Sequence, residues 1–306
     1  MKYLFSTILF LFISIGFAQD GELPMGKTMA DYEQELTALG NEIVTGVTEE
    51  ERLTLNKEFN DLLYDCLLQD ESFDYPFEKV RNLSKLTAES KQFRLFTWLV
   101  PLKDGTFQYN GMALVKQKHG LEIIDLKDQS AEMEKPEYAW LKPSKWFGAI
   151  YYQTFEVKYK KNRYQVYLGY RPGDRKVQEK IIEVVQLKNG KLEFGAKIFE
   201  TPLLADFKYE QRPYRLRLRY SKKVVASLKY VPAEKMIIMD HLSPPDASMK
   251  GQWEQYGPDF SYDGLEWEDG KFQLRKQIEF NSGLQQVIPE QRPQQGLAPK
   301  KEEEDN

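Results

Sequence analysis

The sequence predicts a mainly β protein: an antiparallel sheet system of about ten strands with an N-terminal helical segment. Apolar and polar residues alternate along residues 153–170, which is the period of a strand. Turn-forming pairs such as Asn189-Gly190 separate the alternating runs, and no helical pattern of useful length stands between them. Successive hairpins of this kind indicate antiparallel pairing rather than βαβ units. The pattern leaves three closures open: a barrel, a sandwich or propeller-like blades.

The first 18 residues have the pattern of a secretory signal peptide. Lys2 precedes an apolar stretch from Leu4 to Phe17, and small residues stand at positions 16 and 18, before a cleavage site at Gln19. The stretch is shorter than the roughly 20 apolar residues that a spanning helix needs. We therefore expect an exported protein, periplasmic or extracellular, without a transmembrane span after cleavage.

The N-terminal part of the mature chain shows helical spacing. Thr28 can cap a first helix that ends near Gly40-Asn41, and Thr48-Glu49-Glu50-Glu51 is a capping box for a second. The apolar residues that define the two helical faces are Met29, Tyr32, Leu36 and Leu39, then Leu55, Phe59, Leu62, Leu63, Cys66 and Leu67. Residues 76–86 are expected to add an irregular turn or a short helix.

The remainder of the chain is punctuated by turn signals. Arg171-Pro172-Gly173-Asp174 predicts a turn before a strand over residues 177–187. Further Asp-Gly or Asn-Gly pairs stand at positions 104–105, 110–111, 263–264 and 269–270. The predicted organisation is a signal peptide at 1–18, a linker at 19–27, a helical region at 28–90, a β domain at 91–285 and a disordered tail at 286–306.

Composition excludes several classes of function. The 306 residues carry 43 basic and 47 acidic side chains, so no strongly basic domain marks a nucleic-acid binder. Cys66 is the only cysteine, which rules out an intramolecular disulfide, and its place on an apolar face predicts a buried hydrophobic role. His119 and His241 are the only histidines, and no phosphate loop or multi-histidine motif is present. The sequence therefore predicts no cofactor and no metal.

The segment from Met236 to Gly270 is rich in aromatic and acidic residues. The aromatic residues are Trp253, Tyr256, Phe260, Tyr262 and Trp267. Exposed rings beside Asp259 and Asp263 suit carbohydrate recognition, whereas buried rings would simply cover one end of a sheet. The acidic spacing also resembles half of a calcium loop, but Gly270 stands where the bidentate glutamate belongs, so a plain turn at Asp263-Gly264 is expected.

A second distinctive segment, residues 208–229, holds eight basic residues and one acidic residue. Within it Arg215, Arg217 and Arg219 alternate with apolar residues, which places three guanidinium groups on one face of a strand. Such a row could bind a sulfate, phosphate or carboxylate. The favoured interpretation is instead mutual neutralisation with acidic residues on neighbouring strands, of which residues 252–270 supply six without a basic residue.

Several phrases of the sequence resemble a group of exported proteins of unassigned function from Bacteroidetes-type bacteria. The phrases are Phe93-Arg-Leu-Phe-Thr-Trp98, Trp146-Phe-Gly-Ala-Ile-Tyr-Tyr152, Tyr167-Leu-Gly-Tyr170, Asp240-His-Leu-Ser-Pro-Pro-Asp246 and Tyr256-Gly-Pro-Asp-Phe-Ser-Tyr-Asp-Gly264. The resemblance implies an envelope or extracellular location. It implies no activity and no catalytic residue.

These observations favour a non-catalytic binding or structural protein whose partner is an envelope glycan, a polyanion or another protein. The candidate binding residues are Arg215, Arg217, Arg219, Asp240, His241, Trp253, Tyr256, Asp259 and Asp263. The alternative is a glycoside hydrolase that works with carboxylates alone, for which Asp240, Asp259 and Asp263 are the candidates. A carrier of apolar ligands is a third hypothesis, and it requires a cavity in the β domain. A Ser-His-Asp triad from Asp240, His241 and Ser243 is disfavoured, because triad members converge from separate elements.

Overall fold

The computed structural model describes residues 26–200, 203–204, 207–208 and 210–279. The predicted signal peptide at 1–18, most of the linker and the predicted tail at 286–306 lie outside the described residues. Among those that are described, no helix is long and apolar enough to cross a membrane.

Two helices begin the described chain, α1 over Met29–Thr45 and α2 over Glu49–Leu67. Both start with the predicted capping boxes, in which Thr28 pairs with Asp31 and Thr48 pairs with Glu51. The predicted end of α1 at Gly40 was wrong. Gly40 lies buried inside the helix, where a Cβ would stand at an ordinary contact distance of 3.6 Å from the ring of Phe59 on α2, and α1 continues past it to Thr45.

Sixteen strands follow the helices in the described part of the chain. In chain order they are β1 Ser84–Thr87, β2 Phe93–Pro101, β3 Phe107–Gln117, β4 Gly120–Lys127, β5 Ile150–Tyr159, β6 Asn162–Arg171, β7 Val177–Lys188, β8 Lys191–Phe194, β9 Phe199–Glu200, β10 Leu203–Leu204, β11 Phe207–Lys208, β12 Leu216–Ser221, β13 Leu228–Val231, β14 Met236–Ser243, β15 Gly257–Glu268 and β16 Lys271–Arg275. The number exceeds the predicted ten because several strands are only two to four residues long. β1 begins within residues 76–86, where a turn or short helix was expected.

The larger strands form three sheets. Sheet I has the order β1-β2-β3-β4, and sheet II has the order β12-β7-β6-β5 with β8 paired to β7. Sheet III has the order β13-β14-β15-β16-β9, and β10 pairs with β11 in a separate ribbon. Pairing is antiparallel except between β16 and β9, which are parallel for two residues. The prediction of a mainly antiparallel β fold with N-terminal helices is confirmed, and its closure is sandwich-like, without a closed barrel in the described chain.

The sheets and helices stack in four layers around three cores. Sheet II is a central layer, and successive residues of β6 face opposite ways. Leu168 packs with Leu265 of sheet III, while Tyr167 packs with Leu95 of sheet I. The helical pair covers the other face of sheet I, which accounts for the nearly continuous burial of β2. Each sheet therefore places its side chains against a neighbouring layer, and the ends of the strands remain available for a site.

Of the five Asp-Gly and Asn-Gly pairs that the sequence marks as turns, three lie in hairpin turns and two lie inside strands. Asp104-Gly105, Asn189-Gly190 and Asp269-Gly270 lie in hairpin turns with positive φ at each glycine. Asn110-Gly111 and Asp263-Gly264 lie inside β3 and β15 instead, so the expected turn at 263–264 was wrong. At Gly264 a Cβ would stand 2.2 Å from the sulfur of Met236, so that side chain would have to move to accommodate any other residue.

Candidate functional site

Arg217 and Arg219 lie on one face of β12, opposite its apolar residues, and Arg215 directly precedes the strand. Arg215 is completely buried and pairs with Glu183, which is also completely buried, at 2.6 Å between Nε and Oε2. Its guanidinium also donates to the carbonyl oxygens of Pro136 and Ala139. Because it is enclosed in this way, Arg215 has no surface to offer an external polymer.

Arg217 is likewise held by carboxylates of this chain. Its Nε donates to Glu179 at 2.7 Å, and its Nη1 lies 3.4 Å from Glu137. Burial opposes the ionisation of Glu179, but Arg217, Arg171 and other nearby guanidinium charges outweigh it, so the pKa of Glu179 is lowered. Arg215 and Arg217 are therefore neutralised by carboxylates on β7 and in the 3-10 helix Pro136–Tyr138, and the expectation that residues 252–270 would supply their counter-charges was wrong.

The third arginine and two candidate aromatic residues form a stack beside β12. The guanidinium of Arg219 lies 4.1 Å from the ring centroid of Trp253, which is half-buried. Trp253 in turn contacts Tyr256, with ring centroids 4.7 Å apart. Tyr256 is only 1% exposed and belongs to the core between sheets II and III. For Tyr256, the interpretation as a ring that closes one end of the sheet therefore fits the structure.

The remaining candidates meet at an irregularity where β14 pairs with β15. Asp240 pairs with Tyr262 and Leu242 pairs with Pro258, so a single residue of β14, His241, faces three residues of β15. The three residues, Asp259, Phe260 and Ser261, form what we call the 259–261 bulge. Bulges of this kind bend a strand and redirect its side chains, and they are common next to binding sites.

Phe260 occupies the tip of the 259–261 bulge in an unfavourable conformation. Its φ is +70°, a region that bulky side chains rarely adopt, and its side chain is 96% exposed. Asp259 maintains the bulge, since its Oδ1 accepts hydrogen bonds from the backbone N–H of Ser261 at 3.1 Å and from the Ser261 hydroxyl at 2.7 Å. The bulge thus presents a phenyl ring to solvent on a fixed support.

His241 connects the bulge to a buried carboxylate. Its Nδ1 lies 2.8 Å from Oδ2 of Asp263, and its Nε2 lies 3.9 Å from Oδ2 of Asp259. Asp263 is 2% exposed, and its second oxygen accepts the backbone N–H of Gln277 at 3.2 Å. The buried Asp263 therefore fixes the orientation of the imidazole and directs its other nitrogen toward the surface.

Asp259 and Asp240 differ in their readiness to ionise. Burial works against the charge of Asp259, but hydrogen bonds from Ser261 and the neighbouring His241 outweigh it and lower its pKa. Burial raises the pKa of Asp240, and the charge of Asp259 adds to that effect. Asp240 accepts a hydrogen bond from the backbone N–H of Ser227 at 2.7 Å. The two carboxyl groups thus stand on either side of His241 with opposite shifts.

The structure also bears on the Ser-His-Asp triad and the metal site, two kinds of site that the sequence disfavoured. The hydroxyl of Ser243 donates to Asp259 at 3.3 Å, which is not the arrangement of a serine activated by a histidine. Within the described residues no group of three or more His, Cys, Asp or Glu side chains could hold a metal ion. His119 lies exposed in the two-residue turn between β3 and β4, as expected.

Sequence reasoning placed His241, Asp259 and Asp263 among the candidates, and the structure brings these three together. It did not single out Phe260 from the other aromatic residues. The signal available was its position between Asp259 and Ser261, a pair that can close a short hydrogen-bonded turn. No family model, curated protein or solved structure matches this chain.

Proposed function

We propose that this chain is an exported, non-catalytic carbohydrate-binding protein whose ligand stacks on Phe260. The single observation that carries the proposal is the exposed phenyl ring at φ +70° on the 259–261 bulge. Such a conformation costs of order 1–3 kcal/mol and persists where the surrounding structure imposes it, which is common in binding sites. A ring that is 96% exposed contributes almost nothing to the core, so folding does not explain its presence.

Neighbouring polar groups favour a ligand rich in hydroxyl groups. Asp259 offers carboxylate oxygens that accept hydrogen bonds, Ser243 offers a hydroxyl, and His241 offers a ring nitrogen that Asp263 orients. A flat apolar ring beside such groups matches the apolar face and polar edge of a sugar. The negative charge of Asp259 and the internal pairing of Arg215 and Arg217 favour a neutral glycan over a polyanion.

The experiment is retention on an array of neutral and anionic glycans, followed by affinity electrophoresis with any glycan that binds. We expect Phe260→Ala to weaken binding to a neutral glycan about tenfold, the scale of one aromatic contact. Tyr64→Ala is the matched control, because Tyr64 is an exposed aromatic residue on α2 at 43% exposure. Retention on anionic polymers alone, or equal effects of the two substitutions, would contradict the proposal.

A second candidate is a carboxylate-dependent glycoside hydrolase at the same place. The observation that favours it is the opposite pKa shift of Asp240 and Asp259, since an acid–base pair needs one protonated and one ionised carboxyl group. Asp263 does not fit such a role because both of its oxygens are engaged inside the protein. Release of reducing sugar by the wild type, lost in both Asp240→Asn and Asp259→Asn, would support the hydrolase.

The exported location is part of the proposal and depends on the sequence of residues 1–18. The resemblance to exported proteins of unassigned function from Bacteroidetes-type bacteria supports it. Secretion would bring the site into contact with envelope or environmental glycans, which are the ligands that the bulge suits.

A further inference from the structure

A cavity of about 520 Å³ lies at the junction of the helical layer, sheet I and sheet II. Its apolar lining is supplied by Leu83, Leu86, Leu99 and Ile150, and the rings of Tyr152 and Tyr170 form one wall. This volume falls within the range of small-molecule sites, which are mainly apolar with a few placed polar groups. None of the residues that line the cavity belongs to the 259–261 bulge, so the cavity is a second candidate site.

The edges of two sheets meet at this cavity without forming a continuous sheet. β1 is the edge strand of sheet I and β5 is the edge strand of sheet II. Side chains join them: the hydroxyl of Ser84 donates to the carbonyl of Tyr151, and the N–H of Tyr151 donates to the hydroxyl of Thr97 at 3.3 Å. Because the sheets are fixed to each other beside the opening, the cavity is a built feature of the layer arrangement.

The charged residues of the lining are all basic. Arg81 and Lys85 line the cavity, and no carboxylate side chain does. Lys85 is fixed by the carbonyl oxygens of Phe77 and Val80, whereas Arg81 is exposed and forms no ion pair with any described residue. Because the carboxylates of Glu33 and Glu78 also act on Lys85, the exposed Arg81 is the cation that favours an anionic group at the opening.

A third cation stands directly behind the tyrosine wall. The ammonium of Lys180 lies 4.7 Å from the ring centroid of Tyr152 and 4.9 Å from that of Tyr170. Tyr152 keeps its ring 41% exposed while its hydroxyl donates to the carbonyl of Leu228 at 2.8 Å. Contacts with Lys180 and Leu228 therefore hold the two tyrosine rings in place, while the charge of Lys180 is offset by the nearby Asp240.

The rim of the cavity includes an apolar residue without cover. Val44, in the last turn of α1, is 54% exposed and lies in the lining. From the cavity volume, the basic residues and the apolar rim, we infer that this cavity binds an anionic amphiphile, a carboxylate with a long apolar chain. The carboxylate would lie beside Arg81, and the chain would cover Val44, Leu86 and Tyr152.

The test is isothermal titration of the folded protein with dodecanoate at up to about 1 mM and about pH 8, where its carboxylate is ionised. Dodecyltrimethylammonium, which has the same chain and the opposite charge, is the comparison ligand. We expect dodecanoate to bind at least about tenfold more tightly than the cation. Val44→Glu should weaken dodecanoate about tenfold, because it places a like charge at the rim.

Val47→Glu is the matched control. Val47 is 88% exposed, lies three residues further along and does not line the cavity, so the same substitution there should leave binding within about twofold. Both substituted side chains are at the surface, and circular dichroism will show that the variants fold. The inference is overturned if dodecanoate does not bind, if the two surfactants bind equally, or if the two variants weaken binding equally.

Discussion

Replacement of Phe260 by glycine should stabilise the protein while it weakens the proposed glycan binding about tenfold. At φ +70° an L-residue is disfavoured by roughly 1–2 kcal/mol, and glycine removes that penalty. Glycine also adds about 0.5–1 kcal/mol of backbone entropy to the unfolded chain. Because the phenyl ring is 96% exposed, its removal forfeits almost no burial. The net expectation is a gain of about 0.5–1 kcal/mol in the free energy of unfolding.

Comparison with Phe260→Ala separates the backbone from the ring. Alanine removes the same ring but keeps a Cβ at the strained position, so it should leave the stability near that of the wild type. Both variants should bind the neutral glycan about tenfold more weakly than the wild type. Denaturant unfolding of the three proteins measures the difference, which should appear as a shift in midpoint without a change in slope.

A second glycine substitution controls for the effect of positive φ alone. Lys235 has φ +50° in the exposed turn between β13 and β14, away from the bulge, and Lys235→Gly should gain a similar amount of stability with unchanged glycan retention. The reasoning is refuted if Phe260→Gly is no more stable than Phe260→Ala. That result would mean that the bulge conformation stores no strain, and the principal reason for assigning Phe260 a function would be lost.

Three further outcomes follow from the described contacts and from the sequence. Glu179→Gln should lower the free energy of unfolding at neutral pH by about 3 kcal/mol, because it removes the counter-charge of a buried pair, while the exposed Glu268→Gln should change it by less than about 1 kcal/mol. Folding lowers the pKa of Glu179 from its usual 4.5. The stability that its charge contributes is therefore complete above pH 4.5 and is lost as the pH falls through the lowered value. Urea titrations across this range should show the free energies of unfolding of the variant and the wild type converging in acid. Gly40→Ala should raise the thermal midpoint of unfolding, because the new Cβ lies inside a helix and meets only ordinary contacts at 3.6 Å and longer. Gly169→Ala should lower it, because the new Cβ would stand 2.9 Å from the side chain of Ile181. Calorimetry of both variants measures the two shifts. N-terminal sequencing of the protein recovered from the culture medium or periplasm should begin at Gln19, and a mature chain that retains Met1 would contradict export by cleavage.

The elements that depend on local patterns could be predicted from the sequence. The caps at Thr28 and Thr48 specify helix starts because a threonine side chain satisfies free N–H groups of the first turn, whatever the rest of the fold. The alternation from Gln153 to Tyr170 specifies a hairpin for the same local reason. The predictions at Gly40 and Gly264 were wrong because neither glycine ends an element: Gly40 packs inside α1 against Phe59, and Gly264 lies inside β15 against Met236.

In the candidate site, too, local patterns predicted some features, and contacts between distant residues decided the others. The alternation of Arg215, Arg217 and Arg219 fixed which side chains share a face, but it could not show that Glu179, 38 residues from Arg217 along the chain, would lie opposite. His241 and Asp263 were both candidates, yet their contact depends on the pairing of β14 with β15 and on the 259–261 bulge within it.

The sequence by itself determined the fold class, the helix starts and the two faces of most strands, because these follow from periodicity and capping within a few residues. The tertiary structure alone decided which arginines are enclosed, where Phe260 emerges and where a cavity opens between the sheet edges. The physical reason is that strand register and sheet stacking are set by the burial of whole layers. A shift of one residue in pairing exchanges the faces of a strand, and no local pattern records which neighbour it will meet.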